Sequence, residues 1–273
     1  MQVSKQRGFV LMATLFGAAA YLSSRTVVAE DYGTLKGQFV LKGEIPEPTL
    51  LVKKGDPNAK DPDVCAASDL YGDDLVVDHD TKGIANIFVY ARTVTKVHPD
   101  LMATPADKKK VVFDQKGCRF IPHCLVLRTD QVVVVKSSDN CSHNTNYIPI
   151  SNAGDNFIVP ANDRVGREVM FSSSERQPIP VKCNIHPWMT ANWLILDHPY
   201  AAKTDEHGNF KIEKLPAGEH QFRVWHERVG YINIDKAYSV TKNRKDSLTI
   251  KIGGGETALK PIEVPVELLN QKK

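Results

Sequence analysis

Short apolar runs, each ended by Gly, Pro or Asp, recur from residue 33 to residue 251 and leave little room for helix. Examples are GTLKGQFVLKG (33–43), GIANIFVYART (83–93), CLVLRTDQVVVVKSS (124–138), ANWLILD (191–197) and GNFKIEKLPAGEHQFRVWH (208–226). Val, Ile, Phe and Tyr suit a pleated, half-buried surface, and the turn residues between them favour antiparallel returns. No amphipathic period longer than two helical turns interrupts the rhythm, although PADKKK (105–110) could begin a short helix. The fold class expected is therefore all-β, built as sandwiches.

The first residues set the compartment. Lys5 and Arg7 precede an apolar run over 8–20, and TVVA ends at Ala29 with small or short residues at the last and third-last positions. That is the layout of a secretory signal peptide, and the run is shorter than the about 20 residues a membrane span needs. Export to the periplasm or another extracytoplasmic space is expected, with residues 1–29 removed and no membrane insertion. Without that segment, which carries Lys5, Arg7 and Arg25 and no acid, the 35 basic residues fall to 32 and balance the 32 acidic ones. A nucleic-acid partner, which calls for a basic excess on one face, is not expected.

One stretch carries chemistry. KCNIHPWMTANW (182–193) sets Cys183, His186 and Met189 at three-residue intervals, with Pro187 stiffening the loop between two strands. A thiolate and a thioether suit Cu(I), an imidazole suits Cu(II), and a trigonal Cys-His-His set with a weak axial Met serves both states. The missing imidazole should come from a neighbouring strand. VVVVKSSDNCSHNTNY (132–147) offers a hydrophobic strand, a polar turn and then His143-Asn144. Zinc would accept Cys and two His, but thioether is a poor zinc ligand.

These two segments resemble the cupredoxin family, and the loop Cys-x-x-His-Pro-aromatic-Met resembles amicyanin, which has the shortest ligand loop of the group. The resemblance spans roughly 118–197. It implies a Greek-key β-sandwich with one type 1 copper, ligands His143, Cys183, His186 and Met189, and Asn144 tying the ligand loops together. Pro187 and Trp188 would form an apolar collar around the exposed edge of His186, where the electron leaves. The sequence departs from the family at Cys124 and Cys141, and at Ser142 where a proline often precedes the ligand histidine.

Five cysteines are present: Cys65, Cys118, Cys124, Cys141 and Cys183. If Cys183 holds metal, the other four can pair, and four cysteines admit three pairings. A Cys124–Cys141 bridge beside the site would leave Cys65 for Cys118. The alternative is a second metal held by His123, Cys124 and Cys141. His79, His98, His198, His207 and His220 lie in polar or turn contexts and read as solvated, with Trp225 packed and His226 facing water.

The flanking strands have a different character. KTDEHGNFKIEKLPAGEH (203–220) resembles the middle of a carboxypeptidase-regulatory or transthyretin-like sandwich, whose opening strand would be GTLKGQFVLKG far upstream. This implies that the copper domain, 112–198, is inserted between the two parts of that sandwich, 30–111 and 199–252, with a flexible tail at 253–273. Three consecutive modules is the alternative.

The function implied is non-enzymatic: a carrier of single electrons between redox partner proteins, of the dehydrogenase and cytochrome classes. Paired His-x-His motifs for further copper are absent from the sequence. Copper delivery, or a non-catalytic cell-surface module, are the other functions such a chain could serve.

Overall fold

The computed structural model describes residues 32–235, 238–242 and 248–270. The expected export segment at 1–29 lies outside them. The chain begins with β1 (Tyr32–Lys42), makes an excursion through β2 (Leu50–Val52), helix α1 (Pro62–Cys65) and β3 (Leu70–Tyr71), and returns in β4 (Phe88–Ala91). Next come β5 (Lys110–Gln115), β6 (Phe120–Ile121), β7 (Cys124–Arg128), β8 (Val132–Ser137) and β9 (His143–Tyr147). The middle of the chain ends with β10 (Asp155–Val159), β11 (Arg167–Met170), β12 (Ile179–Lys182) and β13 (Thr190–Leu196). Then follow β14 (Ala201–Lys203), β15 (Asn209–Pro216), β16 (Gly218–His226), β17 (Gly230–Ile234) and β18 (Val240–Lys242). The last elements are β19 (Leu248–Ile252), β20 (Gly255–Ala258), β21 (Ile262–Pro265) and helix α2 (Val266–Leu269). The protein is all-β, and among the described residues no helix is long and apolar enough to cross a membrane.

Two sandwiches result. In the first, a sheet ordered β10-β9-β12-β13-β7 faces one ordered β11-β8-β5-β6. Phe113, Tyr147, Phe171 and Trp193 fill the space between them, with Trp193 edge-on to Phe113 at 4.9 Å. In the second, β15-β1-β20 faces β14-β4-β16-β17-β18, with β21 added to β1 and β19 to β16. Its strands come from both sides of the first sandwich in the chain. β1 pairs antiparallel with β15, and β4 with β16, over registers such as Leu35↔Ile212 and Val89↔Val224.

Two side-chain devices draw those distant segments together. Thr204 Oγ1 donates to Ile84 O at 2.7 Å and accepts from Ile87 N at 2.9 Å. Asp205 Oδ1 accepts from the amides of His207 and Asn209. That turn reaches Gly208 at φ 77°, where a Cβ would collide with the carbonyl oxygen of Phe39, so both conformation and space demand glycine.

Apolar runs that do not alternate mark where the sandwiches meet. On β13, Ala191, Trp193 and Ile195 face the first core, while Leu194 and Leu196 join Phe88, Tyr90, Cys124 and Trp225 in a separate cluster. Phe88 stacks on Trp225 at 5.6 Å. A strand buried on both faces needs no polar side. Burying each leucine there contributes about 1.5–3 kcal/mol.

The same junction corrects one expectation. His226 is not solvated; it is 1% exposed, because β16 is also covered on both faces there. Burial pushes its imidazole down to about 4, so the ring is neutral. His198 is buried as well. Residues 253–270 are not a loose tail either. β20 and β21 lengthen the sheet alongside β1 in parallel, burying Ile262 and Val264.

Candidate metal centre

Position follows from local structure. His143 opens β9, Cys183 follows the last residue of β12, and His186 and Met189 lie in the turn that leads into β13. The turn closes on itself: Met189 N donates to His186 O at 2.9 Å and Cys183 N to Met189 O at 3.2 Å. β12 pairs with β9 through Val181↔Tyr147, and this pairing carries the Cys183 turn to His143.

Asn144 fastens the two loops. Its Oδ1 accepts from Asn184 N at 2.7 Å and Ile185 N at 3.2 Å, and lies 3.4 Å from Cys183 Sγ. His186 N points at the same sulfur, 3.4 Å away.

His143, Cys183 and His186 bring one ligand atom each to within 4.8 Å of one another. Nδ1 of His143 stands 3.0 Å from Nδ1 of His186, and Cys183 Sγ is 3.7 Å from the latter. Met189 is 2% exposed and packs in the same apolar cluster as Cys183.

The outer ring nitrogens are held too, by residues the motifs did not single out. His143 Nε2 is 2.9 Å from Asp139 Oδ2, and His186 Nε2 is 2.9 Å from Asp61 Oδ2. A carboxylate on Nε2 fixes the proton there and leaves a lone pair on Nδ1. Two lone pairs at 3.0 Å need a cation between them, a shared proton or a metal ion. The donor set fits copper on this ground: two imidazole nitrogens and a sulfur lie within 4.8 Å of one another, with the buried thioether of Met189 on the same turn.

The electrostatics agree. For Cys183, burial pushes the thiol up, but hydrogen bonds from His143, His186 and the backbone outweigh it and bring it down to about 6. For His143, burial pushes the ring down, yet the hydrogen bonds to Asp139 and Cys183 raise it to about 9. Asp139 is held below the usual carboxylate range: burial opposes this, but His143 and the amides of Cys118 and Gly117 prevail. These contacts favour the thiolate form of Cys183 over the neutral thiol.

Several expectations change. His186 has no exposed edge: it is fully buried, covered by Asp61 and by Trp188 at a ring distance of 5.3 Å. Trp188 is itself partly buried against Val52, Ala66 and Leu70, so it is no open collar, while Pro187 is exposed. The polar segment 53–63 is the physical cause, since it folds back over the metal loop.

A disulfide joins Cys65 to Cys118, with Cα atoms 5.3 Å apart. Cys124 and Cys141 are free and buried, not bridged. Cys124 is drawn into the junction cluster with Leu194, whereas Cys141 sits beside His143, 3.6 Å from its Nε2. Burial, together with Asp139 and Asp61, pushes the Cys141 thiol up to about 12. Nor do His123, Cys124 and Cys141 form a metal cluster among the described residues. His123 Nε2 instead meets Glu227 Oε2 at 2.9 Å, an ion pair between the two sandwiches that Asn192 also joins.

Asp139 had a sequence signal, lying four residues before His143 in the same polar turn. Asp61 had none, being 125 positions from His186.

Fold and site together define a two-sandwich β protein with a buried Cys-His-His cluster. No protein-family model matches the sequence, and no curated protein does. Among solved structures, amicyanin from Paracoccus versutus is similar over 41% of this chain and 98% of its own, at 17% identity and a TM-score of 0.28. A purple cupredoxin from Nitrosopumilus maritimus is similar over 32% of this chain and 97% of its own, at 16% identity and a TM-score of 0.26. A copper-containing nitrite reductase from Thermus scotoductus is matched over 32% of this chain at 18% identity and a TM-score of 0.27. This chain spans only 22% of that enzyme's length.

Proposed function

We propose that the protein is an exported, type 1 copper carrier of single electrons, with His143, Cys183, His186 and Met189 as the ligands. The observation that carries this reading is the facing pair of Nδ1 atoms at 3.0 Å with Cys183 Sγ beside them, each ring backed by a carboxylate. Bound copper would supply a one-electron couple between Cu(I) and Cu(II). The chain's residues do the rest: they hold the donors in one arrangement for both states, and they exclude water.

Burial also weighs against other chemistry. His143 and His186 are fully buried, and Cys183 and Met189 are 1% and 2% exposed. A substrate would find no open face, so a carrier fits better than an enzyme. Delivery would require the ion to be surrendered readily, which a closed and stapled site opposes. The Cys65–Cys118 disulfide suits an oxidising, extracytoplasmic space. The redox partner in this reading is a protein of the dehydrogenase or cytochrome class. The second sandwich, transthyretin-like in this reading, serves as the frame in which the copper domain is inserted.

An absorption spectrum of the copper-loaded protein tests the reading. An intense visible thiolate-to-Cu(II) band is expected. A colourless protein with labile copper would favour delivery, and no copper uptake would leave a non-catalytic surface module.

A further inference from the structure

The segment from Leu50 to Asp74 lies over the loop histidine and is anchored independently at several points. β2 and β3 pair with each other, and Val52, Ala66 and Leu70 pack with Trp188. Cys65 is bonded to Cys118 of the first sandwich. Arg119 of the first sandwich pairs with Asp73, and Arg228 of the second holds Asp74 at 2.6 Å.

Within this strap one residue behaves oddly. Asp61 occupies the N-cap of α1, where an aspartate ordinarily turns its side chain onto the free amides of the first turn. Its carbonyl does accept from Val64 N and Cys65 N, but its carboxylate makes no cap. The backbone is left-handed instead, at φ 52° and ψ 59°. That conformation is uncommon outside glycine, and it is held where surrounding structure over-determines it. Here it swings the carboxylate away from its own helix and onto His186 Nε2 at 2.9 Å.

We propose that Asp61 is a positioning residue for the metal centre, a clamp in the strap that fixes the ring of His186 with Nδ1 turned toward Cys183. The inference rests on the copper reading for its redox consequence only; the clamp itself is a property of the metal-free chain. With His186 held, the turn that carries Cys183 is held as well, because His186 N donates toward that sulfur. The negative charge behind the ring makes the imidazole a stronger donor and favours Cu(II) over Cu(I).

The test uses the full chain with Asp61→Ala and Asp61→Asn, and thiol alkylation mapped by peptide mass. In metal-free Asp61→Ala, Cys183 should be alkylated about tenfold faster, the effect of losing one partly buried hydrogen bond to a charged group. Cys124, buried at the junction with the second sandwich, should react at its wild-type rate and reports global opening. In copper-loaded Asp61→Asn, which keeps an acceptor but not the charge, the visible band should persist and the reduction potential should rise. Unchanged Cys183 reactivity overturns the clamp, and so does an equal rise at Cys124. If wild type takes up no copper, the functional reading fails while the alkylation rates still decide the clamp. A blue wild type with unresponsive Cys183 in Asp61→Ala sinks the clamp alone.

Discussion

Nδ1 of His143 and Nδ1 of His186 face each other at 3.0 Å, though the two residues stand 43 positions apart, one opening β9 and the other in the turn before β13. Carboxylates behind both rings make this pairing unfavourable unless a cation is shared. The consequences can be measured.

Cys183→Ser should abolish the visible band while leaving the far-ultraviolet β spectrum intact, because the residue sits in a turn beyond β12 and not in the ladder. In wild type, bound copper should protect Cys183 from alkylation, and removal of copper should expose it. Cys183 recovered in a disulfide would sink the copper assignment.

Met189→Leu keeps the buried volume nearly constant and removes the thioether. Copper and colour should survive and the potential should rise, since an axial donor stabilises Cu(II). Loss of copper from this variant would mean that the thioether is a primary ligand.

Asn144→Ala leaves the Asn184 and Ile185 amides without their shared acceptor. A destabilisation of about 1–3 kcal/mol is expected, read from the denaturant midpoint of the metal-free protein. A midpoint within error of wild type would show that water replaces the side chain at no cost.

The pH response of the metal-free protein follows from two opposed shifts. Cys183 falls from 9.0 to about 6, so between these values the unfolded chain binds the extra proton and stability rises with pH. His143 rises from 6.5 to about 9, so between these values the folded chain binds the extra proton and stability falls with pH. The two slopes cancel, and wild type should show no slope from this pair between about 6.5 and 9. Cys183→Ser removes one of the two partners that raise His143 while Asp139 remains, so the variant's stability should decline with pH from about 6.5 upward, over less than the full window. Denaturant midpoints at a series of pH values check this, and a level profile in the variant would contradict the pairing of His143 with Asp139.

Strand pairing predicts how the chain can be divided. A fragment of 199–273 lacks β1 and β4, the partners of β15 and β16, and exposes unpaired edges. It should show no cooperative melting transition. A fragment of about 108–198 retains both sheets of the first sandwich and should fold and bind copper. Sharp melting of isolated 199–273 would instead favour consecutive modules.

Much of the metal loop was legible because it is local. Three-residue spacing sets Cys183, His186 and Met189 on one turn whatever surrounds it, and β-branched runs between turn residues make strands in most contexts. The His143-Asn144 pair was readable for the same reason, following a strand and a polar turn.

What the sequence determined by itself was therefore the all-β class and the order along the chain of the residues that meet at the candidate site. Tertiary structure decided which faces met water and which polar groups met each other. It drew Asp61 across 125 positions to His186, separated Cys124 from Cys141, and buried His226 between two sandwiches. Such contacts leave no period or spacing in the sequence, because they depend on where whole sheets come to rest. Local spacing places His186 on its turn; only the fold brings a carboxylate to its Nε2.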